Sequence, residues 1–275
     1  MLSSKRVLLI GLVLGLFVAN GGFFGLTPDQ AIGKTTANSI STRLVTAGVL
    51  PETSGAGPAL AFFKGRLYVA WTGTGNLLLN VMSTGDGASF GSKVTLPETG
   101  IGGVALTAFN DRLYIAWTGT DSEHRLNVMS SLDGVSFGSK VILGDTSIAA
   151  PALAVFNGKL YIAWTGTDSL HRLNVMSSLD GVSFGNKVIL GETSNAGPAL
   201  DVRPVGTRAD ELTLAWTGTD ARLNTLVTTN GRDFFNKVIL GETSIAGPAL
   251  AGFAGGRYIA WTGTDSDHHL NVSAR

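Results

Sequence analysis

The chain has 275 residues, and its 20 basic and 20 acidic side chains balance to a formal net charge of zero. No general field therefore draws it to nucleic acid or anionic lipid, and nucleic acid is not expected as a partner. There is no cysteine, which excludes disulfides and thiolate metal sites, and charged residues are only 15% of the chain against roughly 25% in a typical soluble domain. With 37 glycines, this composition fits short strands joined by tight turns.

At the N-terminus, Lys5-Arg6 precede an uncharged run from Val7 that stays apolar to Leu26 except for Asn20. A basic start and an apolar core are the pattern of a secretory signal, and a run of this length can also just span a bilayer. Residues 1–26 are therefore expected to be a signal peptide or an uncleaved anchor. Either places the rest of the chain outside the cell, secreted or held on the outer side of the membrane, with membrane contact only through this segment. Residues 27–42 (TPDQAIGKTTANSIST) read as a polar linker.

Residues 43–275 are a repeat. The stretch LYIAWTGTD at 113–121 recurs with small changes around Trp71, Trp164, Trp216 and Trp261, which with Trp117 are all five tryptophans of the chain. All four tyrosines, Tyr68, Tyr114, Tyr161 and Tyr258, stand three places before a Trp. The Trp spacings are 46, 47, 52 and 45 residues, and a period of this size marks an array of equal units. The third unit is the clearest. Residues 151–156 (PALAVF) form a short apolar strand, and Asn157-Gly158 is a strong hairpin signal. Lys159–Thr165 is a second strand, with Leu160, Ile162 and Trp164 on one side and Tyr161 and Ala163 on the other. Residues 166–171 are a polar loop, 172–177 a third strand, 178–184 a turn with Asp180-Gly181 at its tip, and 187–190 a fourth strand, after which 191–197 lead to the next unit. Four antiparallel strands in a unit of this length describe a β-propeller blade.

The predicted fold is thus an all-β, five-bladed β-propeller of four-stranded antiparallel blades. The last unit ends after its third strand, while residues 44–54 at the front match 188–194. The N-terminal strand is therefore expected to complete the last blade and close the ring, which removes exposed edges.

In such an array the second-to-third and fourth-to-first loops share one face. That face collects Asp121, His124 and Arg125, then Asp168, His171 and Arg172, then Asp220 and Arg222, then Asp265, His268 and His269, which include every histidine of the chain. The fourth-to-first loops add Glu98, Asp145, Glu192 and Glu242. The first unit has Gly75 where the others have Asp. His124 and His171 lie on different units and the adjacent His268-His269 would need partners the sequence does not show, so no metal site is expected, and no cofactor either.

The turn Ser131-Leu132-Asp133-Gly134-Val135-Ser136-Phe137 recurs as Ser178, Asp180, Gly181 and Phe184 and keeps Asp86, Gly87 and Phe90 in the first unit, while the fourth departs with Thr229-Asn230-Gly231-Arg232-Asp233-Phe234. It resembles the Asp box, or bacterial neuraminidase repeat, one residue shorter than usual and with Phe for Trp. The resemblance implies a sialidase-like or lectin-like propeller in which Asp86, Asp133 and Asp180 bond turn amides and the aromatic packs between strands. For a sialidase it would also imply three substrate-binding arginines and a Tyr–Glu pair. The Arg-Ile/Leu-Pro element of that family has no match, and every Tyr is held in the repeat.

Residues 119–147 and 166–194 differ at only three places, Glu123/Leu170, Ser139/Asn186 and Asp145/Glu192. A catalytic centre needs different residues from different units, whereas near-identical units present one site several times, which suits weak binding made strong by avidity. The expected function is a multivalent, lectin-like carbohydrate-binding propeller without catalysis, its partners glycans or a cell-surface polysaccharide. Its candidate ligand-binding residues are Asp121, His124, Arg125, Asp168, His171, Arg172, Asp265, His268, Trp117, Trp164 and Trp261. A sialidase-type glycoside hydrolase and a protein-binding or cell-surface scaffold remain as alternatives.

Overall fold

The computed structural model describes residues 49–203, 210–253 and 256–274, which contain strands and turns and no helix. The expected leader (1–26), the linker (27–42) and most of the closing strand lie outside the described residues.

The strands repeat five times. The first repeat has β1 (Ala59–Phe63), β2 (Arg66–Thr72), β3 (Leu78–Thr84) and the first half of β4 (Gly91–Phe109); the second uses the other half of β4, then β5 (Arg112–Gly119), β6 (Arg125–Ser131) and β7 (Phe137–Thr146). The third has β8 (Ala152–Phe156), β9 (Lys159–Thr165), β10 (Arg172–Ser178) and β11 (Phe184–Thr193). The fourth has β12 (Ala199–Arg203), β13 (Glu211–Thr217), β14 (Arg222–Thr228) and β15 (Phe235–Thr243), and the fifth β16 (Ala249–Phe253), β17 (Gly256–Thr262) and β18 (Leu270–Ala274). Neighbouring strands pair in sequence order and antiparallel, in sheets of seven, four, four and three strands.

The seven-stranded sheet arises because β4 runs straight from one repeat into the next. Elsewhere a proline, Pro58, Pro151, Pro198 or Pro248, stands just before the first strand; here Val104 takes its place. A proline cannot donate to a strand ladder and forces the chain out of it; without one, the ladder continues, with only a register shift between Ile101 and Ala105.

The fourth strands are longer than the expected four residues, as β11 at Phe184–Thr193 shows. Bulges carry the pairing past residues that read as turn: the ladder shifts register between Val175 and Ser177, and Ser92, Ser139, Asn186 and Asn236 all take φ of 51–52°. Glu98 is therefore held inside β4, and Asp145, Glu192 and Glu242 at the ends of β7, β11 and β15, rather than in free loops. The hairpin at Asn157-Gly158 forms as expected, with φ of 48° and 68°, the two positive values of a type I′ turn.

The core lies between repeats, and the second strands β5, β9 and β13 are buried on both faces, whereas in β17 only Ile259 and Trp261 are buried. Leu160, Ile162 and Trp164 pack against Tyr114 and Ala116 of the repeat before. Tyr161 and Ala163 pack against Leu212, Leu214 and Trp216 of the repeat after. Tyr68 and Ala70 meet Leu113, Ile115 and Trp117 in the same way.

A second contact locks three seams, those after the first, second and third repeats; the fourth repeat has Thr213 in the place of the tyrosine. The Tyr68 hydroxyl donates to the Asp133 carbonyl and the Tyr114 hydroxyl to that of Asp180, each at 3.2 Å. The glycine after each Asp has positive φ, 76° at Gly134 and 74° at Gly181, and a Cβ there would lie 2.2–2.3 Å from the tyrosine ring. Tyr161 sits on Gly231 alike. The turn itself is held by its acidic residue. Asp133 accepts the amides of Val135 and Ser136 at 2.8 and 2.7 Å and the Ser131 hydroxyl at 2.7 Å. The Ser136 amide first, then Val135 and Ser131, hold its carboxyl well below the usual range. The departing fourth turn keeps the geometry, because Asn230 Oδ1 takes the amides of Arg232 and Asp233 and Thr228 takes the place of Ser131.

The two ends of the array differ from its middle. First strands pack side by side, β1 with β4, β4 with β8, β8 with β12 and β12 with β16, and no such packing joins β16 to β1 among the described residues. Leu126 and Val128 are 0% and 1% exposed, whereas their equivalents in β18, Leu270 and Val272, are 52% and 55% exposed, with no fourth strand beside them among the described residues.

The lock predicts a sharp contrast between two glycines. Gly181→Ala meets both a left-handed backbone and the Tyr114 ring, and overpacking together with that strain should lower stability by about 2–4 kcal/mol. Gly138→Ala, with nothing within 4 Å of its Cβ, should change stability by less than about 0.5 kcal/mol. Urea unfolding of the two variants checks this, and equal effects would refute the lock.

Candidate functional site

Where the chain passes from one repeat to the next, the end of the fourth strand meets the second-to-third loop of the following unit. The backbone fastens the corner: the Ser147 amide donates back to the His124 carbonyl at 3.0 Å, and the Ile148 amide donates forward to the Thr165 carbonyl at 3.1 Å. The two sets of loops expected on one face are thus adjacent. A threonine hydroxyl pair spans each corner, among them Thr99–Thr120 at 2.6 Å, Thr146–Thr167 at 2.5 Å and Thr243–Thr264 at 2.7 Å.

Two corners enclose equivalent hollows of about 200 Å³ each. The second repeat's is lined by Glu98, Trp117, Asp121, Arg125, Lys140 and Ile142 among others; the third's by Asp145, Trp164, Asp168, Arg172, Lys187 and Ile189. In each the lysine pairs with the carboxylate from the preceding fourth strand and lies over the Trp ring, Lys140 5.5 Å from the Trp117 centroid and Lys187 5.4 Å from that of Trp164. The same Lys–Trp–carboxylate set stands at Glu52, Trp71 and Lys93 and at Glu192, Trp216 and Lys237. A cation over an indole contributes about 0.5–1 kcal/mol where exposed, so the lysine is held in place while its side chain stays about a third exposed.

The Asp after each Thr-Gly-Thr is a loop organiser. Asp168 accepts the Leu170 amide at 3.1 Å, the Arg172 amide at 3.2 Å and Arg172 Nε at 3.2 Å; Asp121 does the same with Glu123 and Arg125. Burial works against ionisation of Asp168, but these amides and the guanidinium outweigh it and hold the carboxyl below its ordinary value. The loop Asp engages Nε of Arg125 and of Arg172, and each arginine lines its hollow, where a guanidinium fork can donate to a ligand. In the fifth repeat His269 replaces the arginine, its Nδ1 2.7 Å from Asp265. The first repeat, which has Gly75 where the others have Asp, uses Asn76 instead, whose Oδ1 takes the Leu78 amide at 3.1 Å.

The histidines hold backbone positions rather than pocket walls. His124, His171 and His268 have φ of 55°, 51° and 53°, and Leu77 and Ala221 occupy the same left-handed place in the other repeats. Neither His124 nor His171 lines a hollow. Trp117 and Trp164 are 1% exposed and Trp261 7%, so these indoles wall the corner and offer no open ring face. Apolar side chains that do stand open include Ile142, Ile189 and Ile239, each 51–53% exposed. Lys140 and Lys187, Ile142 and Ile189, and Asn127 and Asn174, whose amide groups brace the Arg125 and Arg172 carbonyls, were not singled out from sequence. The signal was present in the repeated Lys-Val-Ile-Leu of the fourth strands, whose first residue faces the corner.

No family model matches the chain, and no curated protein matches it in sequence. Solved structures do match in fold. The BP39L lectin of Burkholderia pseudomallei superposes with a TM-score of 0.64 at 15% identity, over 80% of this chain and 67% of the lectin. The Trypanosoma rangeli sialidase, in complex with the inhibitor DANA, gives 0.57 at 15% identity over 79% of this chain and 44% of the enzyme. The Bombyx mori GH32 β-fructofuranosidase BmSUC1 gives 0.51 at 15% identity over 77% of this chain and 55% of the enzyme. The chain thus spans about half the length of these two enzymes, and what it shares with all three structures is the fold, an all-β propeller of antiparallel sheets.

Proposed function

We propose that the chain is an exported, five-bladed propeller that binds glycans at its repeated corners without hydrolysing them. The observation that carries this reading is the equivalence of the two hollows: a carboxylate (Glu98 or Asp145), lysine, Thr pair, Asp–Arg pair and exposed Ile recur position for position. A sugar needs hydroxyl-matching donors and acceptors and a small apolar contact, and each corner offers both. A fold shared with a lectin and with glycoside hydrolases supports a carbohydrate ligand. For catalysis the arrangement is less suited. In both hollows the carboxylates are already paired with cations, and Arg125, Arg172 and Arg222 each turn to the Asp of their own loop instead of converging. In this reading the Asp86, Asp133 and Asp180 turns are Asp boxes with a structural role, and residues 1–26 and 27–42 are leader or anchor and linker. Cell-surface polysaccharide is the natural target outside the cell.

The same reading includes ring closure by the N-terminal strand. Its support is that residues just before β1 already act as the end of a preceding fourth strand: Glu52 pairs with Lys93, the Thr53 hydroxyl lies 2.5 Å from that of Thr74, and Ser54 bridges to Gly73. Residues 42–48 would then lie beside β18 and cover Leu270 and Val272. Deleting residues 42–50 should lower the melting temperature by several degrees and promote aggregation through the bare β18 edge. A truncated protein that melts like the parent and stays monomeric would contradict closure.

Glycan-array screening followed by calorimetry tests the binding reading. The expected stoichiometry exceeds one site per chain. Arg172→Leu, which installs the residue that the first repeat carries as Leu78, should remove one site, and adding Arg125→Leu should remove another, with the remaining sites unchanged. A single site unaffected by both substitutions would overturn the repeated-site reading.

A further inference from the structure

In four fourth strands a lysine stands five places before an acid: Lys93 before Glu98, Lys140 before Asp145, Lys187 before Glu192 and Lys237 before Glu242. Each lysine reaches the acid of the preceding fourth strand and lies over the Trp of its own repeat. An ammonium thus sits against a carboxylate and 5.4–5.7 Å from the ring centroid at Trp71, Trp117, Trp164 and Trp216. The fifth corner has the indole, Trp261, and the acid, Glu242. Among the described residues no cation lies over the one or pairs with the other. In the closed ring proposed above, the lysine position falls to Ala47, which stands five places before Glu52.

The rest of this corner is kept. Thr243 and Thr264 pair at 2.7 Å, and Asp265 accepts the amides of Asp267 and His269 at 3.2 and 3.3 Å. With His269 in the place of the arginine, the corner retains both carboxylates and has lost both of the cationic side chains that the second and third corners carry. It is also more open. Glu242 is exposed, whereas Glu52, Glu98, Asp145 and Glu192, each under its lysine, are half-buried. Trp261 is 7% exposed, against 1–4% for the other four indoles. That is too little for a sugar ring to stack on, but an ammonium at the lysines' distance needs far less of the ring. An alanine side chain ends at Cβ, so it leaves the place that a lysine ammonium fills elsewhere.

We propose that the fifth corner binds the ammonium group of a non-acetylated amino sugar, which takes the place of the missing lysine between Glu242 and the Trp261 indole. The ammonium follows from the four lysines; the sugar rests on the glycan reading above. The indole quadrupole attracts a cation, and an ammonium donating to a carboxylate makes a charge-assisted hydrogen bond. N-acetylation removes the charge and all but one of the N–H donors, so an acetylated sugar cannot stand in for the lysine. The other four corners refuse the ammonium because their own lysine already holds the place.

Glucosamine, N-acetylglucosamine and Nα-acetyl-lysine are the probes, added at pH 7 to the full chain with isotope-labelled indoles. The Trp261 indole N–H resonance, assigned through Trp261→Phe, should report glucosamine binding at least about tenfold tighter than N-acetylglucosamine. The other four indoles should not share that preference. Nα-acetyl-lysine, which brings the ammonium without a sugar, should bind more weakly than glucosamine. Glu242→Gln should weaken glucosamine at least about tenfold, and Ala47→Lys, which installs the lysine of the other strands, should abolish the Trp261 response. No preference for the amine at Trp261, an undiminished preference in either variant, or Nα-acetyl-lysine binding as tightly as glucosamine would each overturn the proposal. Neutral glycan binding at Ile142 and Ile189 is read separately. Its absence beside an intact amine preference at Trp261 would count against the proposed function and support this site, and the reverse would overturn this site alone.

Discussion

Everything in this molecule depends on one constraint: a single sheet cannot cover its own second strand. LYIAW-type strands are apolar on both faces, so each must be covered twice, by the repeat before and the repeat after. Trp117 and Trp164 are 1% exposed where Tyr68 and Ala70, then Tyr114 and Ala116, close over the neighbouring strand. The tyrosine then projects past the apolar layer to the next turn, where only a glycine leaves room for it. The spacing of Tyr and Trp within one strand and the Asp-Gly of a turn some 66 residues later, as in Tyr114 and Asp180, are two halves of one contact.

The candidate site is a consequence of that packing. Once Trp is committed to the seam, its polar surroundings arrange themselves over it. The lysine of the fourth strand spans the ring and reaches the carboxylate of the preceding strand, joining two repeats by a cation–π contact and an ion pair at once. The loop Asp uses its oxygens on its own amides and on arginine Nε, which fixes the arginine at the wall of the hollow. Because each step follows from the repeat, the site recurs wherever the repeat is intact and changes where it departs, at Leu78 in the first unit and His269 in the fifth.

How far the sequence disclosed this varies with the physics involved. Strand positions, the Asn157-Gly158 hairpin and the two-faced burial of Leu160–Trp164 were legible, because they follow from local periodicity and turn chemistry. The full length of the fourth strands was not, since bulges at Asn186 and its equivalents hide pairing inside a turn-like string. The fusion of β4 across two repeats turned on the absence of one proline at Val104. At the site, Asp, Arg and Thr were visible by type and position. The histidines drew attention through their chemistry, yet their place is set by a left-handed backbone that Leu77 and Ala221 share. Lys140 and Ile142 were hidden within an apparent strand, and only the seam shows that they face the corner.

The central claim is that corners built alike bind alike. Ile142 and Ile189 stand half-exposed in the two equivalent hollows, so their methyl resonances report on each separately. Titrating a glycan selected by array against methyl-labelled protein, the account predicts that both signals shift together with the same dissociation constant. A shift at only one of them, or at neither while the glycan still binds, would contradict it.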